Sequence, residues 1–92
     1  MKKYSRENVK AIKSFIEEYH RKDEKLMKEF DISEISLIEL RKIFDPQFND
    51  DELFNSYELD KEKSFLLNNK LSKPISFDFS SNTYFLQRYG EY

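Results

Sequence analysis

The residues best placed for chemistry are the consecutive carboxylates Asp50-Asp51-Glu52. Carboxylates grouped in this way can ligate a divalent cation or divide acid and base roles in glycoside hydrolysis. The run lacks the fixed ligand positions and central glycine of an EF-hand loop, so the expectation is a solvated loop without metal. His20 is the single histidine, and it stands in a Lys/Arg-rich stretch. Zinc hydrolase sites need several His or Cys ligands, and a Ser-His-Asp triad would have to be built around this one ring, so His20 reads as an ordinary exposed or edge residue. There is no cysteine and one glycine, Gly90. The first fact excludes disulfides, thiolate nucleophiles and thiolate metal sites, and the second removes the glycine-rich loop that phosphate binding requires. No catalytic residue, metal or cofactor is expected.

Carboxylates that perform no turnover can still bind. Asp45, Asp50, Asp51, Glu52, Glu58, Asp60 and Glu62 gather between positions 45 and 62 against Lys61, with Phe48, Leu53, Phe54, Tyr57 and Leu59 among them. The chain begins instead with Lys2, Lys3, Arg6, Lys10 and Lys13 against Glu7, so the negative charge is concentrated. An acidic surface carrying rings suits a basic partner: long-range attraction speeds encounter and buried aromatic anchors slow release. The expected contact set is Asp50, Asp51, Glu52, Phe54, Tyr57, Glu58 and Asp60, with Phe54 and Tyr57 as anchors. The bland alternative is a solvated loop, with Asp60 and Glu62 favouring a helix N-terminus and Phe54 in the core. Direct nucleic-acid binding is not expected, because Tyr84, Phe85 and Tyr89 have only Arg88 beside them and the net charge is −2.

These residues must be positioned by one small domain spanning residues 1–92. Hydrophobic residues make up 38% of the chain, so nine Phe and six Tyr supply much of the area that can be buried. That aromatic content and the low net charge favour a folded chain over disorder, despite 37% charged residues. No stretch approaches the length of a membrane span, no apolar signal region follows the basic start, and cysteine is absent; a cytoplasmic protein is expected.

Residues 9 to 30 read in two ways. Val9, Ile12, Ile16 and Tyr19 fall at helical spacing, whereas two short apolar runs separated by the polar stretch from His20 to Lys25 read as a hairpin, although its turn lacks Gly or Asn. Further on, Ser36 caps a helix striped by Leu37, Leu40, Ile43 and Phe44, with Glu39 at the capping-box position, and Asp45-Pro46 ends it. Asp60 opens a second short helix that stops before Pro74. Ile75, Phe77 and Phe79 alternate as a half-buried extended segment, and Thr83 to Leu86 form the last strand.

Phe15 to Tyr19, Lys25 to Ile32, Ile35 to Phe44, Tyr57 to Asp60 and Tyr84 to Leu86, taken in order, resemble the pattern of small bacterial immunity proteins, including those of contact-dependent growth inhibition and other polymorphic toxin systems. The resemblance covers roughly residues 15 to 88. It implies an α+β domain with an N-terminal antiparallel hairpin over residues 15 to 32, two short helices and a C-terminal strand. Residues 1 to 14 lie outside it and are expected as an extension with its own helical turn. The function it implies is neutralisation of a cognate toxin domain, a basic nuclease such as an RNase, by binding alone. The competing readings are a phage or mobile-element inhibitor that imitates nucleic acid with its carboxylates, and a small regulatory module. Oligomeric state is left open.

Overall fold

The computed structural model describes residues 11–91. Strands β1 (Ala11–His20) and β2 (Leu26–Asp31) form the N-terminal hairpin, followed by helix α1 (Leu37–Ile43), the short strand β3 (Tyr57–Glu58), helix α2 (Lys61–Asn68) and strand β4 (Asn82–Glu91). The sheet is antiparallel in the order β2-β1-β4-β3, so the two central strands come from opposite ends of the described chain. The fold is α+β, as the resemblance implies. The helical reading of residues 9 to 30 is corrected over its described part, and the expected helical turn before residue 15 gives way to strand from Ala11 onward. The rest of that extension lies outside the described residues.

Alternation explains why β1 is a strand. Ser14, Ile16 and Glu18 are buried on one side, while Phe15 and Tyr19 stand half-buried on the other. The hairpin solves its missing glycine with Glu24, which adopts φ 58°. The Glu24 N–H donates to the His20 carbonyl, the His20 N–H to the Lys25 carbonyl, and the Asp23 carboxylate accepts from the Lys25 N–H. His20 sits half-buried at the strand end, where its Nδ1 accepts from the Lys22 N–H.

Both helices start where side-chain caps allow. Ser36 Oγ accepts from the Glu39 N–H, and Asp60 Oδ1 accepts from the Lys63 N–H. Only half of the expected capping box forms at α1, because the Glu39 carboxylate turns to Lys42 and Lys70. Ile16, Ile32, Leu40, Phe44, Leu53, Leu67, Tyr84 and Leu86 are fully buried between the sheet and the helical layer, each side chain contributing about 1.5–3 kcal/mol. The alternating segment from Ile75 to Phe79 does enter the core but joins no sheet ladder. The Asn68 side chain takes both backbone groups of Ile75, and the Tyr84 hydroxyl accepts from the Asp78 N–H, so the segment's hydrogen bonds go elsewhere.

Candidate functional site

The acidic segment folds around an internal brace. Asp50 and Tyr57 are each only 8% exposed. The Asp50 carboxylate accepts from the Phe54 N–H (2.8 Å), the Asn55 N–H (2.9 Å) and the Tyr57 hydroxyl. That hydroxyl in turn accepts from the Gln47 N–H (2.9 Å), and Asn55 Nδ2 donates to Gln47 Oε1 (2.9 Å), closing the neck of the loop. Burial first, then the Asp50 carboxylate, raises the Tyr57 hydroxyl above its usual range and keeps its proton in place. The backbone bends sharply enough to put Asn49 at φ 61° and the buried Leu53 at φ 58°. Asn tolerates the left-handed region, whereas Leu there costs about 1–2 kcal/mol, which the Asp50 bonds immediately C-terminal to it help to hold.

The expected contact set is therefore dispersed. Asp50 and Tyr57, both expected as contact residues, are buried and engaged within the loop, where each satisfies polar groups that folding has removed from water. Phe54 is half-buried with the Arg88 guanidinium 5.7 Å from its ring centre. Arg88 also donates to Ser14 Oγ and to the Glu52 carbonyl, which fastens the loop to the helical side of the sheet. Glu52 is half-buried beside it, and Asp51 is exposed. Asp60 is exposed, but its carboxylate is engaged by the Lys63 N–H and ammonium, which hold it below the usual carboxylate range. Glu58 projects from β3 to the far side of the sheet, where it lines an open groove of about 360 Å³ with Tyr19, Glu24, Ser56, Thr83 and Phe85. Among the described residues no group of three His, Asp or Glu side chains converges as a metal site.

Two features escaped the sequence reading. Phe48 is 92% exposed at the loop tip, the largest exposure of any bulky apolar side chain among the described residues. It stands among the rings of the acidic segment, but nothing in its spacing separates it from Phe54. The second is a repeated pairing of tyrosine hydroxyls with buried carboxylates. Tyr84 donates to Glu18 (2.5 Å), and both Tyr19 (2.8 Å) and Tyr89 (2.5 Å) donate to Glu17. Adjacent glutamates in a central strand are thus satisfied on opposite faces of the sheet.

A family model described as "Domain of unknown function (DUF7683)" matches residues 13–87, a span that takes in both helices and most of the sheet. No curated protein and no solved structure matches the chain.

Proposed function

We propose that this chain, which belongs to the DUF7683 family, is a binding protein of the immunity type that neutralises a basic toxin domain, a nuclease such as an RNase, in the cytoplasm and catalyses nothing itself. The observation that carries the reading is the 92% exposure of Phe48 at the tip of a loop whose base is fixed by Asp50, Tyr57 and Arg88. An exposed ring loses little conformational freedom on docking when its loop is already ordered, and rings in that setting are the usual energetic centres of interfaces. Asp45 and Asp51 are exposed on the same segment and supply attraction to a basic surface. Phe48 thus takes the anchor role that the sequence assigned to Phe54 and Tyr57. Imitation of nucleic acid is the weaker reading, since the burial of Asp50 and the capping role of Asp60 break the row of free carboxylates that a phosphate mimic would present.

Co-expression with a basic nuclease toxin domain, taken from any toxin gene found adjacent to this one, tests this. The wild-type chain is expected to restore growth and to co-purify with the toxin. Phe48→Ala is expected to weaken the complex about tenfold or more while leaving the unfolding midpoint unchanged. Full protection by a variant carrying both Phe48→Ala and Asp51→Lys would remove the loop tip from the interface, and substrate turnover by the purified chain would end the reading altogether.

A further inference from the structure

The side of the sheet that faces away from the helices is the most unusual surface of the molecule. Lys13, Phe15, Glu17 and Tyr19 of β1 lie across from Tyr89, Gln87, Phe85 and Thr83 of β4 in direct register. Glu29 and Asp31 stand beside Glu17 and Phe15 on β2, and Glu58 stands beside Phe85 on β3. Among the described residues no helix or loop covers this face. Phe15, Tyr19 and Phe85 are half-buried, and Tyr89 is exposed. Their rings are nevertheless ordered: Phe15 meets Tyr89 at 5.9 Å, and Tyr19 meets the edge of Phe85 at 5.7 Å. Glu17 is roofed by these rings to 5% exposure, and it receives both tyrosine hydroxyls. The field of Glu29 reaches the same two hydroxyls.

We propose that this open face is a second docking surface, distinct from the Phe48 loop on the helical side, and that its occupant is a lysine- or arginine-bearing segment of a basic protein. Charge decides the occupant. Glu17, Glu29, Asp31 and Glu58 occupy register positions on the face against Lys13, and Glu24, from the turn that also carries Lys22 and Lys25, lines the groove. A second copy pairing this face with itself would bring carboxylates against carboxylates, and nucleic acid or an anionic lipid surface would meet the same repulsion. A cationic side chain, by contrast, finds the Tyr19 and Phe85 rings between Glu24 and Glu58 in the groove. Ring faces and ionised carboxylates both favour a guanidinium or ammonium, and the groove is wide enough to admit one. The Glu17 hydrogen bonds fix Tyr19 and Tyr89 beforehand, so little side-chain freedom is lost when the segment docks.

The test titrates a hexa-arginine peptide into the full chain and follows ring resonances by NMR. Shifts are expected at Tyr19 and Phe85. The double variant Glu24→Lys with Glu58→Lys is expected to weaken binding at least tenfold. Glu34→Lys with Glu62→Lys changes net charge equally but lies off the face, and is expected to change affinity less than threefold. Unmoved Tyr19 and Phe85 rings, equal loss in both double variants, or a peptide-independent dimer that shields this face would each overturn the proposal. Should the first double variant fail to fold, Glu58→Gln read through the same rings serves in its place. Phe48→Ala leaves peptide binding intact, so this surface and the loop tip stand or fall separately.

Discussion

Removing the Asp50 carboxylate strands two backbone N–H groups and the Tyr57 hydroxyl without their acceptor. Hydrogen bonds to a charged group contribute about 1.5–3 kcal/mol each, so Asp50→Ala is expected to lower the unfolding free energy by about 3 kcal/mol in a urea titration. Phe48→Ala, whose ring touches little, is expected to stay within about 0.5 kcal/mol of wild type in the same measurement. The contrast separates the brace from the display. It also marks what sequence alone conceals at this scale. Asp50 and Tyr57 look like surface residues because carboxylates usually are, and the hydroxyl that changes their role comes from a different turn of the loop. The same holds for the pairing of Glu17 with Tyr89 and of Glu18 with Tyr84, partners that lie 72 and 66 residues away. A long-range partner leaves no periodic trace.

At the level of elements, Ser36 and Asp60 were legible because an N-cap is a local device: the capping side chain bonds the backbone three residues on. The hairpin was less legible. Its polar interruption marks a turn, but the left-handed residue is Glu24 where Gly or Asn would announce it. Glu24→Asn is expected to stabilise the fold by about 0.5–1 kcal/mol, since Asn accepts the left-handed region at lower cost. Thermal unfolding checks this, and a lowered midpoint would mean that Glu24 makes a compensating contact. β4 runs to Glu91, past the Thr83 to Leu86 core that the sequence marks, because Arg88 and Gly90 interrupt the pattern of strand formers. Pairing with β1 carries the strand through them. The reverse happened at Ile75 to Phe79, where alternation signalled burial correctly while Asn68 and Tyr84 took the hydrogen bonds of a strand neighbour.

Over the whole molecule, the tyrosine–carboxylate pairs set an alkaline limit. The hydroxyls of Tyr57 and Tyr84 are raised above 10.0 by burial first and by their carboxylate partners next, and those of Tyr19 and Tyr89 by the Glu17 hydrogen bond first and burial next. The folded state therefore keeps protons that the unfolded chain releases above pH 10.0, so this stabilisation is complete below that pH and is lost as pH climbs beyond it. Urea midpoints measured from pH 8 to 12 are expected to hold level and then fall, and Tyr84→Phe to shallow the fall; a midpoint unchanged at pH 12 would contradict these placements. On the acid side, Asp31, Glu39, Asp60 and Asp78 are held below their usual range by hydrogen bonds, so their smaller contribution is present above about pH 4 and fades as pH drops. The strand order carries a further consequence for how the protein is made. β1 pairs with β4 from Ala11 opposite Glu91 to His20 opposite Asn82, so the middle of the sheet joins the first and last segments of the described chain. A nascent polypeptide leaving the ribosome can close the hairpin early, yet it cannot seat Ile16 against Leu86 until translation has passed β4. Completion of the fold thus waits for β4 to emerge, and until then the growing chain offers its half-built core to whatever chaperones attend it.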